Sequence, residues 1–229
     1  MTSPLTLALD ASTYSGTVAL LCGTDEIAAC EVPMRNPGRE TLLPAVAEVM
    51  ERSGTAIRDV SRIACGSGPG SFTGLRIAAS IAKALALGAR ASERQRIPFY
   101  GVSSLLLIVA GNDIARRPGR YVAVLDALRG EVFTAAFEVG EQLEIVEIDA
   151  TSIRPRDDID AYAAKLGARL VGPEQAEHLA PHARGVARLR SMLDHAEAGD
   201  LESWEPNYGR AAEAQVRWEK AHGKPLRSR

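Results

Sequence analysis

Two aspartates close strand-like runs in this sequence. Asp10 ends LTLALD and is followed by Ala11, Ser12 and Thr13; Asp126 ends YVAVLD, with Arg129, Gly130 and Glu131 just beyond. A carboxylate so placed can hold a magnesium-bound phosphate or activate water, and can equally bond back to the next residues to close a hairpin. An Asp126–Arg129 pair can clamp a ligand or lock a turn. A third feature, GSGPGSFTGLRIAAS at 66–80, packs glycines and a proline ahead of a helix-like run. It is no Walker loop, because Leu75 and Arg76 follow Gly74 and no lysine precedes Lys83. The dinucleotide fingerprint fails too, with Ser71 or Thr73 where the third glycine belongs. Two readings stand: a tight structural turn built on Gly68, Pro69, Gly70 and Gly74, or an anion edge formed by Ser71 and Thr73 where a helix opens.

Other chemistries find little support. His178 and His182 have HxxxH spacing, but Pro181 lies between them and no glutamate does, so the metalloprotease pattern is absent. GPGSFTG has Pro69 and Thr73 where a serine-hydrolase elbow around Ser71 needs glycines. Cys22, Cys30 and Cys65 have neither CxxC spacing nor an even count, and Cys65 reads as a buried strand residue. The formal net charge of −2 excludes binding nucleic acid through an overall basic character. ARASERQR, with Arg90, Arg94 and Arg96, and RRPGR at 116–120 are local basic runs that read mainly as solvated surface.

Alternating and helical patterns supply the elements that position these residues. TLALDAST and GTVALLCG form a hairpin, IAACEV a third strand, RIACG a short buried strand and IPFYGV another. A helix follows Thr41, taken as its N-cap with Pro44 in the first turn. It carries Leu42, Leu43, Val46, Val49 and Met50 at helical spacing. A second helix runs from 72 to Gly88, and SSLLLIVAG makes a third. After RRPGR come strands at 121–127, 130–139 and 143–149, an amphipathic helix at 157–167, a strand at 169–172 and a helix over 185–200. Strand-then-helix order on both sides of residues 111–120 allows two related lobes, although no sequence repeat is visible.

The helix after GPGSFTG is nearly free of charge: between Leu75 and Leu87 only Arg76 and Lys83 are ionic. Either it is enclosed within its own lobe, or one side packs on another chain. With 46% apolar residues, 229 residues suffice for a substantial core. The N-terminal run lacks the basic flank of an export signal, and no window approaches a membrane span, so a cytoplasmic protein is expected.

LALDASTYSGTVALL (7–21) and GSGPGSFTGLRIAASIAKALALG (66–88) closely resemble the bacterial TsaB (YeaZ) family. ETLLP (40–44), DALRGEVFTAAF (126–137) and EPNYGR (205–210) support the match in family order. The resemblance implies an α/β fold of the actin/Hsp70/sugar-kinase (ASKHA) type, with two lobes each holding a mixed sheet flanked by helices. The expected boundaries are 1–112 for the first lobe, 113–219 for the smaller second lobe and 220–229 for a basic tail. It also implies a non-catalytic subunit that pairs with the catalytic paralogue TsaD in transferring threonylcarbamoyl to adenosine 37 of ANN-decoding tRNAs. The ATPase TsaE joins the assembly, tRNA is met through the complex, and without TsaD the chain pairs with itself through helices of the first lobe.

The catalytic relative resembles IPFYGVSSLLLI (97–108) but has two metal-binding histidines there. Ser104 and Ile108 occupy those positions here, so no resident metal and no cofactor of its own are expected, a nucleotide at the inter-subunit seam being the one allowance. The expected partner interface is Leu42, Val46, Val49, Arg76, Ile77, Ile81, Lys83 and Leu85. The alternative is an ATPase or phosphotransferase of the same superfold using Asp10 and Asp126, with an M22-like peptidase more remote. Two departures from the family stand out: the segment before ETLLP reads PGRE, with Gly38 and Arg39 where a histidine is usual, and Gly209 replaces a usual leucine.

Overall fold

The computed structural model of the chain describes residues 3–35, 39–88 and 96–210. LTLALD forms β1 (Leu5–Asp10) and SGTVALLC forms β2 (Ser15–Cys22), paired antiparallel with Leu5 opposite Cys22 and Asp10 opposite Thr17. β3 (Asp25–Pro33) extends the meander beyond β2. β4 (Arg62–Gly66) and β5 (Phe99–Val102) add in parallel on the free side of β1, giving the order β3-β2-β1-β4-β5.

Because strand residues alternate faces, Leu7 and Leu9 point one way and Ala8 the other. Leu7, Leu9, Val18, Leu20 and Ile63 pack under α1 (Leu42–Ser53) and α2 (Phe72–Gly88), which contribute Leu42, Val46, Val49, Ala78, Ala82 and Ala86. Ala8, Ala19, Leu21 and Ala64 meet α3 (Ser104–Ala110) and the run 183–195 on the far face. Small residues on that face let helices approach closely.

The second sheet holds β6 (Gly119–Asp126), β7 (Glu131–Val139), β8 (Ile145–Pro155), β9 (Arg169–Gly172) and β10 (Glu177–His178). Its order is β8-β7-β6-β9-β10, with the β6–β7 and β7–β8 pairs antiparallel and the β6–β9 and β9–β10 pairs parallel. That is the plan of the first sheet over again, a duplication in connectivity that leaves no repeat in the sequence. Both faces are covered. Val122, Val124, Val132 and Ala136 pack on α4 (Ile159–Leu166), whereas Tyr121, Leu125, Phe133 and Phe137 pack with Leu105, Ile108 and Val109 of α3. Helix α3 is thus shared, Leu107 and Ala110 serving the first sheet and Leu105, Ile108 and Val109 the second.

Three details differ from the sequence reading. Thr41 does not cap α1 with its side chain; Glu40 Oε1 accepts from the amides of Leu42 at 2.6 Å and Leu43 at 3.2 Å, and Thr41 donates to the carbonyl of Pro33. The helix read over 185–200 is a 3-10 stretch, Ala183–Leu189, leading into a short α5, Arg190–His195. That run, which linear boundaries give to the second lobe, covers the first sheet. Among the described residues no helix is long and apolar enough to cross a membrane.

Candidate functional site

The loop after β1, the end of β6, the glycine stretch and the segment 208–210 line a cleft of about 1300 Å³ between the lobes. Ser71 and Thr73 line it from the first lobe and Asp126 from the second, so three of the four nucleotide-edge candidates share one cavity. Asp10 does not line it. Its side chain is 0% exposed and lies one layer beneath, where Oδ1 accepts from the amide (2.9 Å) and hydroxyl (2.7 Å) of Ser12 and Oδ2 from the Ser104 hydroxyl (2.6 Å). Burial raises its pKa above the ordinary carboxylate value, and the bonds from Ser104 and Ser12 work against that rise. The placement of Asp10 among ligand-facing residues is therefore corrected: every oxygen is used internally. Cys65, beside it on β4, is buried, and burial pushes its thiol pKa up, away from nucleophilic use.

The glycine stretch is packed against the first hairpin. The Ser71 amide donates to the Ser12 carbonyl at 2.7 Å, so it does not face a ligand, and the Ser71 hydroxyl accepts from the Gly74 amide at 3.3 Å, capping α2. A Cβ on Gly74 would lie 2.0 Å from the Ala11 carbonyl oxygen, and one on Gly70 2.2 Å from that of Ser12. Gly68 donates its amide to Ser104 Oγ at 3.1 Å and precedes Pro69 in the same loop. The stretch needs glycine for backbone contact with residues 11–12.

Asp126 closes the turn after β6 by accepting from the Leu128 amide (3.1 Å) and receives Arg156 at 2.7 Å; Arg156 also reaches Glu174 at 2.7 Å. Arg156, which braces the lining residues Asp126 and Glu174 without lining the cleft itself, is a residue the sequence reading missed, since nothing local marks a partner thirty positions away. The segment EPNYGR spans both lobes. Asn207 donates its amide to the Ser67 carbonyl, Tyr208 packs on Phe72 with the rings tilted by 45° and centroids 4.5 Å apart, and Arg210 pairs with Glu131 of β7. Gly209, with φ of 69°, lies against the Phe133 ring, where a Cβ would sit 2.3 Å away; leucine does not fit this backbone. Gly38 falls outside the described residues.

The interface candidates divide. Leu42, Val46 and Val49 are corrected: they are core residues of their own lobe, because the stripe at helical spacing is the one that faces the sheet. Leu85 packs against the same core, and Lys83 lies 5.8 Å over the Trp204 ring. Arg76, Ile77 and Ile81 do line a shallow, mostly apolar groove between the helices, joined by Glu40, Leu43 and Ser80. Leu43, 49% exposed, is the missed member; Leu87 and Phe72 are further exposed apolar groups on α2. Ser104 and Ile108 are both buried, the first in the Asp10 bond and the second in the core beneath β6 and β7. His178 and His182 bond separately, to the Pro173 carbonyl and to Arg184. Among the described residues no group of three or more histidine, cysteine and acidic side chains is placed to hold a metal. Arg90, Arg94 and the tail 220–229 lie outside the described residues.

Comparison with known proteins agrees with this architecture. A family model described as "TsaD: tRNA N6-adenosine threonylcarbamoyltransferase" matches residues 37–181, more than half of the chain. The chain is 37% identical to the "tRNA threonylcarbamoyladenosine biosynthesis protein TsaB" of Escherichia coli (strain K12) over 59% of its own length and 55% of the relative's. It is 27% identical to the Bacillus subtilis (strain 168) protein of the same name over 93% of this chain and 96% of that one. The chain thus spans about half the length of the E. coli relative. Two solved Pseudomonas aeruginosa structures superpose on 90% of the chain at 24% identity, with TM-scores of 0.73 and 0.72. They are titled "YeaZ" and a protein "with similarity to peptidase YEAZ", and they speak to fold. The duplicated mixed sheets around a shared helix make this a two-lobed protein of the ASKHA class. Within that class, the chain belongs to the TsaB (YeaZ) family.

Proposed function

We propose that this chain is a non-catalytic subunit of tRNA threonylcarbamoyladenosine biosynthesis that docks a TsaD-type transferase through the open groove between α1 and α2. The observation that carries the reading is the fate of positions 104 and 108. Where the catalytic relative has metal-binding histidines, Ser104 is tied to Asp10 and Gly68, and Ile108 is enclosed by the second core. A hydroxyl already donating to a carboxylate and an alkyl group offer a transition metal nothing to bind. The names of the relatives place them in this pathway, and exposed Leu43 with half-buried Ile77 and Ile81 supplies an apolar seat for a partner. TsaE and a self-paired form belong to the same reading. Its test is reconstituted tRNA modification by the TsaD-type transferase with and without this chain; full activity in its absence would end it. The phosphotransferase alternative needs Asp10 at the cleft, and Asp10 is sealed beneath it. ATP turnover by the isolated chain, lost in Asp10→Asn, would reverse that judgement.

A further inference from the structure

Among the described residues the chain crosses between the lobes three times: after α3, again between β10 and the 3-10 run that begins at Ala183, and last at 207–210. The first two crossings are bonded to each other. Asn112 Nδ2 donates to the carbonyls of Ile108 at 2.7 Å and Ala180 at 2.9 Å, and the His182 amide donates to the Leu107 carbonyl at 3.4 Å. The backbones touch here as well: a Cβ on Gly111 would sit 2.7 Å from the His182 carbonyl oxygen, and one on Gly185 2.6 Å from the Gly111 nitrogen. Two crossings thus make one narrow joint at the C-terminal end of α3.

The third crossing lies at the other end of that helix, about 10 Å away at the rise of an α-helix. Ser104 bonds the Gly68 amide there, and next to it the Asn207 amide donates to the Ser67 carbonyl at 2.7 Å. A glycine seats each end of this strap. On the first lobe a Cβ on Gly68 would lie 2.3 Å from the Asn207 carbonyl oxygen, and on the second Gly209 itself lies against Phe133. Asn207 Oδ1 accepts the Gly209 amide at 2.9 Å, folding the strap into a turn. Tyr208 then packs on Phe72 of the first lobe, and Arg210 pairs with Glu131 of the second. Residues 208–210 line the cleft as they cross it.

A joint at one end of α3, a strap at the other and a cleft of about 1300 Å³ between the lobes are the parts of a hinge and a clasp. From this arrangement we infer that residues 207–210 set the opening of the cleft. With the strap bonded at both ends the lobes keep one separation; with its second-lobe end released they swing apart about the Asn112–Ala180 joint. The second-lobe end is the one that lets go, because a partly exposed ion pair and a ring contact hold it, whereas a backbone bond holds the first. Helix α3, packed on both cores, takes up the swing by a small slide along one face.

The test uses the full chain and needs no partner. Nitroxide labels go on Ala47→Cys in α1 and Asp160→Cys in α4, both exposed positions, with Cys22→Ser and Cys30→Ser in the background and buried Cys65 left in place. Pulsed dipolar spectroscopy reads the separation of the lobes. With the strap intact, one narrow distance is expected. Glu131→Arg sets a like charge against Arg210 and should add a population several ångströms longer. Combining Glu131→Arg with Arg210→Glu restores the pair with its signs exchanged and should bring back the narrow distance. Tyr208→Ser with Arg210→Gln removes both side-chain contacts without adding a charge and should open the cleft in the same way. Parental distances in both opened variants, or a broad distribution in the chain with its strap intact, would overturn the inference.

Discussion

The Ser104 hydroxyl donates to Asp10 Oδ2 at 2.6 Å and accepts the Gly68 amide at 3.1 Å, so one side chain joins the end of β1, the glycine stretch and the start of α3. All three partners are closed off from water; Asp10 and Ser104 are each 0% exposed. Ser104→Ala leaves a carboxylate oxygen and an amide without a partner, which costs about 3 kcal/mol of stability. Urea denaturation of the isolated chain measures this. A loss below about 0.5 kcal/mol would mean that water enters and replaces the hydroxyl.

The glycine stretch makes a sharper steric prediction. Gly74→Ala places a methyl 2.0 Å from the Ala11 carbonyl oxygen, and backbone on both sides has to move. The expected cost is about 3 kcal/mol, at the upper end of what overpacking brings. Gly88→Ala, at the end of α2 with nothing within 4 Å of the added carbon, is expected to be neutral or slightly stabilising. Equal melting temperatures for the two variants would remove the packing account of this stretch.

Helix α1 separates folding from docking within neighbouring residues. Leu42, Val46 and Val49 lie under the sheet, so Leu42→Ala should cost about 2–5 kcal/mol. Leu43→Asp changes an exposed position in the first helical turn, where an acid suits the helix dipole. Its effect on stability is expected within about 0.5 kcal/mol. Gel filtration with the partner then separates the roles: Leu43→Asp should elute folded but unpaired. A folded Leu43→Asp that still co-elutes would show that the groove is not the seat.

These positions show how much was legible in the sequence. Alternation and helical spacing located most of the strands and helices, because each buries one face and period reveals the face; the two-residue β10 and the second half of β8 went unread. The same stripe misled at the interface: regular spacing marks what the chain's own sheet covers, and the exposed leucine is the one out of step. Motif residues identified the cleft wall at Ser71, Thr73 and Asp126 but misplaced Asp10, whose depth depends on Ser104 ninety-four residues away. EPNYGR was visible as a family match, but what Arg156 and residues 205–210 pair with was not, for a similar reason: these are tertiary pairings with no local pattern. The duplicated sheet plan left no repeat because strand pairing asks only for the right alternation of burial, which many different residues satisfy.

His182 gives the pH dependence. It is 9% exposed, its Nδ1 accepts the Arg184 amide at 3.1 Å, and the Arg184 guanidinium lies against the same ring. Burial first, and the neighbouring Arg184 charge second, lower its pKa from 6.5 to about 4, with Glu31 acting weakly in the other direction. Below pH 6.5 the unfolded chain takes up a proton that the folded chain refuses until about pH 4. The contribution of His182 is therefore whole above pH 6.5 and declines as pH falls towards 4, by at most about 3 kcal/mol. Asp10 works oppositely: its raised pKa stabilises below its ordinary value of 3.8, and that contribution fades as pH rises. The two are separated by substitution. His182→Gln keeps an acceptor for the Arg184 amide but cannot titrate, so its melting temperature should fall less between pH 7 and pH 4.5 than that of the parent chain. Parallel curves for the two proteins would show that His182 is protonated in the fold and would remove it from the account of acid sensitivity.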